Sequence, residues 1–188
     1  IAGIETESQS VARALVPETA KEPILIADMD AFKTALVMVH DGSLQFTSSI
    51  PIAGNNFTEK LSKAASLGLP EAEKLKQKFG FANTTEYPNL KLQMMPVMED
   101  LAAEIKNILK FHYDHHDDHI GSLVLTGGGA KLQHIAENLE PMLEIYAPIK
   151  VTVANPLEHI PNFKDETLDP YQALSYTTAI GLAMWELS

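Results

Sequence analysis

Three stretches of the chain carry residue types that do chemistry. Asp28-Met29-Asp30-Ala31-Phe32-Lys33-Thr34 is an acidic turn joining two short apolar runs. A carboxylate at the end of a buried strand can hold a hydrated magnesium ion, and turn N–H groups can meet phosphate oxygens. The same residues also read as a plain polar hairpin turn. Leu123-Val124-Leu125-Thr126 runs straight into Gly127-Gly128-Gly129-Ala130. Glycines at the carboxyl end of a strand let backbone approach a ligand closely, and a following helix offers free N–H groups there. A tight strand-to-helix turn with no ligand fits the same residues. The loop matches neither the phosphate-binding loop, which needs Gly-Lys-Ser/Thr, nor the dinucleotide fingerprint. His112, His115, His116 and His119 stand with Asp114, Asp117 and Asp118 at spacings that could bind zinc or nickel. As sequence they read as a solvated helix end, because nothing apolar encloses them. Lys74, Lys76 and Lys78 read as a solvated helix face. His40, His134 and His159 are isolated, and no Ser–His–Asp set is recognisable.

The elements that must position these residues follow from periodicity. Residues 4–16 carry a mixed strand-to-helix pattern ending at Pro17. Ile24-Leu25-Ile26-Ala27-Asp28 and Ala35-Leu36-Val37-Met38-Val39 read as buried strands. Asp41-Gly42 then supplies hairpin chemistry before a third strand over 44–52. Helices are expected over 57–67, from Pro70 to Gly80, and over 94–112, with a loop or short strand at 81–92. A strand over 123–126, a helix over 131–139 that Pro141 ends or kinks, a strand over 149–153 and a helix over 171–187 complete the chain. Three leading strands followed by helix–strand–helix–strand–helix predict a mixed α/β sheet covered by helices.

Composition narrows the function. The 188 residues are 45% hydrophobic and 21% charged, enough for one self-sufficient core. Acidic residues outnumber basic ones 25 to 14, a formal charge of −11, which disfavours DNA-coating and membrane-surface roles. Cysteine is absent, which removes disulfides, thiolate zinc sites and cysteine nucleophiles and suits a reducing cytoplasm. No stretch approaches the ~18 apolar residues that span a bilayer, and no signal peptide is evident at the start. The chain opens on Ile1 within sequence that already has the pattern of structure, so it is expected to be part of a longer protein.

In this order the pieces resemble the second half of an actin-superfamily ATPase, and more closely the type IV pilus assembly protein PilM family, itself similar to the division protein FtsA. The resemblance runs from Glu5-Thr6-Glu7-Ser8 and Ala12-Arg13-Ala14-Leu15 through Ile50-Pro51-Ile52-Ala53-Gly54 and Phe57-Thr58-Glu59-Lys60-Leu61. It continues through Ala72-Glu73-Lys74-Leu75-Lys76, Leu125-Thr126-Gly127-Gly128-Gly129-Ala130, Val153-Ala154-Asn155-Pro156 and Ala179-Ile180-Gly181-Leu182-Ala183. Each motif is modest, and their colinearity is the specific part.

The resemblance implies an actin-like (ribonuclease H-like) lobe, with 1–52 and 92–188 as its larger subdomain, IIA, and 53–91 as a small insertion, IIB. It implies ATP bound with magnesium between two lobes, of which this chain is one. Gly127, Gly128 and Gly129 match the adenosine loop, and Glu73 and Lys76 match residues that reach ribose and adenine. Asp28 and Thr34 match the second phosphate loop, with Asp28 reaching magnesium through water. Asp30 departs from that motif by replacing its glycine with a carboxylate. At most weak ATPase activity is implied, and none from this chain alone. The implied role is a cytoplasmic scaffold, peripheral to the inner membrane, at the assembly platform of a type IV pilus. Its implied partners are a PilN-like cytoplasmic tail and other platform proteins, with self-association open and no nucleic acid or membrane insertion. A nucleotide-free interaction module and an FtsA-like filament-forming adaptor are the alternatives.

Overall fold

Leu25, Ala27 and Met29 face one side of β1 (Ile24–Met29) and Ile26 the other, all four fully buried, so this strand needs cover on both faces. The structure, a computed structural model, describes residues 4–116, 118–144, 147–160, 163 and 168–187. β1 is the centre of a five-stranded sheet ordered β3-β2-β1-β4-β5. β2 (Thr34–His40) and β3 (Ser43–Ile50) form the antiparallel side, while β4 (Ser122–Thr126) and β5 (Lys150–Val153) run parallel to β1. Both outer strands are largely exposed and carry Ser, Thr, Gln and Lys, which suits sheet edges.

Four helices cover one face: α2 (Gly54–Ala65), α3 (Leu69–Phe79), α4 (Leu90–His115) and α5 (Ile135–Leu143). Phe57, Leu61, Leu75, Met94, Met98, Leu101, Ile105 and Leu139 pack there with Leu25, Leu36, Met38, Leu123 and Leu125. The opposite face holds a smaller cluster. Val11, Ala14 and Leu15 of α1 (Glu7–Leu15) meet Ile26, Val37, Val39 and Met184. The last described residues form α6 (Pro170–Ala173) and α7 (Thr177–Ala183), linked and followed by 3-10 turns, and α7 packs on α1 in this layer. Among the described residues no helix is long and apolar enough to cross a membrane.

Several sequence expectations are corrected. Residues 7–15 are helical, with no strand in the described residues 4–6, and Thr6 and Gln9 form a reciprocal capping box that starts the helix cleanly. α4 begins at Leu90, one turn before the expected start, with Pro96 inside it. The carbonyl that Pro96 leaves without an amide belongs to Leu92, a residue 67% exposed, where water can serve it. Pro141 likewise lies within α5, on its exposed side. Lys131 is not in that helix: 128–131 form a 3-10 turn, and α5 starts at Ile135. The final stretch is broken rather than one helix. The Leu174 carbonyl accepts from the Gly127 amide (3.2 Å) and the Thr177 hydroxyl (3.1 Å), so the local chain gives up helical bonding to hold the glycine loop.

Candidate functional site

The hairpin tip that follows β1 is stitched to the start of α2. The Gly54 and Asn55 amides donate to the carbonyls of Asp30 and Ala31, each at 2.9 Å. Thr34 is fully buried and its hydroxyl donates to the Ile52 carbonyl at 2.6 Å. Thr34 therefore holds the hairpin against the chain entering α2, and it does not line the cleft.

Beside this tip, β4 ends in the glycine loop. Gly127 adopts φ +80°, and a Cβ there would lie 2.6 Å from Asp28 Oδ1 and 2.8 Å from the Met29 carbonyl. A Cβ on Gly129 would lie 2.7 Å from Met29 Cβ. These two glycines are demanded by packing onto the end of β1. Gly128 is different: a Cβ there would meet nothing within 4 Å. It faces open space, where a ligand could approach backbone.

That space is a cleft of about 460 Å³ lined by Asp30, Gly54, Glu73, Lys76, Gly128, Lys131 and Tyr171, among others. Glu73 and Lys76 enter it one helical turn apart on α3. Lys76 is buried, and its ammonium donates to the Gly54 carbonyl (2.9 Å), Thr58 Oγ1 (2.9 Å) and Glu73 Oε2 (2.8 Å). An ammonium has three donors, so Lys76 clamps α3 to α2 and presents no spare proton to the cleft. Burial pushes the Glu73 pKa up, but Lys76, Thr58 and Gln77 outweigh it and hold the carboxyl below its usual range. Glu73 is thus a charged acceptor at the cleft wall. Lys131 lies 5.6 Å from the Tyr171 ring centroid, and the Tyr171 hydroxyl donates to the Lys131 carbonyl. Sequence reading missed Tyr171 and Lys131. The available signal was Asp169-Pro170-Tyr171, a capped helix start whose first turn reaches back over the glycine loop.

A second hollow of about 330 Å³ holds Glu7, Asp28, Asp30 and Lys33, and Asp30 lines both spaces. Burial, then the charges of Asp30 and Glu7, push the Asp28 pKa up to about 6, against the opposing pull of Lys33. Burial also raises Asp30, with Lys33 pulling it down. Lys33 lies 3.6 Å from Glu7. The fold thus places Gly128, Glu73 and Lys76 around the first space and Asp28 in the second, with Gly127 between as a spacer over Asp28.

The residues present fit a nucleoside in the first space. Its volume is that of a small-molecule pocket, Gly128 leaves room for close approach, and Glu73 is a ready hydroxyl acceptor. The carboxylates of the second space suit a divalent cation better than bare phosphate.

The histidine-rich stretch lies elsewhere, at the carboxyl end of α4. The expectation that nothing encloses it fails for His112, which is 4% exposed and bonded to Asp118 Oδ1 at 2.7 Å. Burial holds the His112 imidazole below its ordinary pKa, although the Asp118 bond acts to raise it. Asp117 lies outside the described residues.

Residues 3–187 match the family model described as type IV pilus assembly protein PilM. Cell division protein FtsA of Buchnera aphidicola subsp. Schizaphis graminum (strain Sg) is 26% identical over 195 residues, covering 89% of this chain and 44% of the relative. Among solved structures, a PilM–PilN type IV pilus biogenesis complex superposes with a TM-score of 0.77 at 22% identity, over 100% of this chain and 53% of that one. MreB 5 of Spiroplasma citri bound to AMPPNP superposes with a TM-score of 0.71 at 16% identity, over 98% of this chain and 59% of that one. The chain spans about half the length of these relatives. Its mixed sheet flanked by helices is therefore an actin-like fold. The match over nearly the whole chain places it in a family: it belongs to the type IV pilus assembly protein PilM family.

Proposed function

We propose that this chain is one wall of a nucleotide site in a pilus-assembly scaffold, with the nucleoside of ATP against Gly128 and Glu73. The single observation that carries this is Gly128. It is the glycine of the loop whose missing side chain no packing demands, and it faces the 460 Å³ cleft. Phosphates would extend toward the hairpin tip, with Asp28 facing a hydrated magnesium ion that would supply charge neutralisation there. Thr34 holds the tip in place, and Lys76 holds α3 and α2 together behind the nucleoside. We further propose that 53–91 is the inserted subdomain of the lobe. Its Phe57, Leu61, Leu75 and Phe81 share one hydrophobic cluster with the sheet, which supports a rigid wall. A PilN-like tail at the inner membrane is the partner this family suggests, in line with the PilM–PilN complex it resembles.

The test is amide NMR of this chain titrated with magnesium-ATP to millimolar concentration. Shifts confined to Gly127, Gly128, Gly129, Glu73 and the hairpin tip are expected. An unperturbed spectrum at saturation would sink the nucleotide reading.

A second reading, an interaction module of the same family without nucleotide, is favoured by Asp30. Its carboxylate stands beside Asp28 and Glu7 where phosphate charge would lie. Under the nucleotide reading, Asp30→Gly removes a repelling charge and tightens ATP binding by about tenfold. Unchanged affinity would show that Asp30 is not the obstruction.

A further inference from the structure

We propose that His112, His116 and Asp118 form a binding site for a divalent transition-metal ion of the zinc class. One ligand atom from each lies within 4.8 Å of the other two. His112 is buried on α4, and its Nε2 already meets Asp118 Oδ1 at 2.7 Å. One turn on, the His116 ring stacks on His112 with centroids 4.4 Å apart, so both imidazoles leave the helix in the same direction. Tetrahedral zinc holds such ligand atoms about 3.3–3.5 Å apart, so the cluster reaches that geometry by small side-chain rotations. Two imidazoles and a carboxylate form a nitrogen–oxygen donor set suited to this ion class, with a fourth position left to water.

The surroundings support a built site. His40, from the end of β2, approaches the second Asp118 oxygen at 3.5 Å. A partner of that kind orients a ligating carboxylate from outside the ligand set. The neighbouring histidines are sorted away from the cluster. The His115 Nδ1–H donates to the Phe111 carbonyl (2.8 Å) and the ring stacks on that of Phe111, while His119 lines a different hollow with Leu109 and Ile149. The site sits where β1 begins, whereas the cleft lies where β1 ends, about 20 Å away along a six-residue strand. An ion here would tie the end of α4 to Asp118, which His40 of β2 meets from the other side, and leave the nucleotide reading untouched.

Cobalt(II) titration of the untagged 188-residue chain, followed by visible absorption, tests this. One-to-one binding with tetrahedral-type bands, displaced by zinc, is expected. His116→Ala and Asp118→Asn, both at solvent-accessible positions, should each weaken cobalt binding by at least about tenfold with unchanged circular dichroism. His115→Ala should leave affinity as in the native chain. Absence of saturable binding, full binding in both His116→Ala and Asp118→Asn, or equal loss in His115→Ala would overturn the site.

Discussion

Gly127, Gly128 and Gly129 are chemically identical and structurally unlike one another. Gly127 and Gly129 are filled from behind by Asp28 and Met29, while Gly128 faces the cleft. Gly128→Leu is therefore expected to leave the melting temperature within a degree or so and to abolish ATP-induced amide shifts. Gly127→Ala should instead destabilise by more than about 1 kcal/mol, since it adds both a clash and a left-handed strain. Calorimetry and the same titration separate the two. Asp28 is another residue whose environment is set against it. Its folded pKa of about 6 lies above the ordinary carboxylate value, so between about pH 4 and 6 the folded state holds more protons than the unfolded chain. Stability from this group is present below about pH 4 and is lost as pH rises through 6, a loss on the order of 3 kcal/mol. Asp28→Asn should recover most of it at pH 7.5 and flatten that part of the pH profile in urea unfolding. No gain at pH 7.5 would mean that the carboxylate is not buried as placed.

At the scale of elements, two junctions hold the site. The α2–hairpin junction depends on the Thr34 hydroxyl and on the first amides of α2, and the α2–α3 junction on Lys76. Behind the sheet, α1 and α7 cross so closely that a Cβ on Gly181 would lie 1.8 Å from the Ser10 carbonyl oxygen. Arg13 bonds Gly181 O at 3.0 Å and Glu5 at 2.7 Å across the same crossing. Gly181→Ala must push the helices apart, and a loss of about 3 kcal/mol is expected by chemical denaturation. Because the Leu174 carbonyl in the same segment anchors Gly127, this variant should also loosen the glycine loop. Amide exchange at 127–129 would register that. Protection equal to the native chain would show the loop to be held by β1 alone.

Across the whole molecule, one sheet separates two hydrophobic clusters, and β1 and β2 supply residues to both. Neither cluster can melt without exposing the back of the same strands, so a single cooperative transition is expected. The chain contains one tryptophan, Trp185, beside Arg13 on the α1 side, with the ring centroid 5.1 Å from the guanidinium carbon. Most of the helix lies on the other face. Tryptophan fluorescence and far-ultraviolet circular dichroism should give coincident urea midpoints. Leu101→Ala, in the larger cluster, should move both together by the equivalent of about 3–5 kcal/mol. Separated midpoints would mean that the two layers unfold independently.

The five strands, the mixed sheet they form and the family were legible because they rest on local patterns: apolar runs at 24–28 and 35–39, Asp41-Gly42 and the strand–triple-glycine junction. The break at 174–177 was not, because the atom that prevents a continuous helix is the Gly127 amide, 47 residues earlier. Nor could spacing tell that Lys76 is saturated by three partners, two of them on α2, or that Thr34 points inward. The histidines show the same division. Sequence set His112 and His116 one helical turn apart; the packing of α4 against the sheet buried the first and left the other exposed. By itself the sequence determined which elements form and where glycine, proline and caps punctuate them, since those are short-range steric and hydrogen-bonding rules. Only the tertiary structure decided which of three adjacent glycines has no packing behind its missing side chain, which lysine protons remain free and which carboxylates share one hollow. Those properties belong to the space between elements, and no single segment contains it.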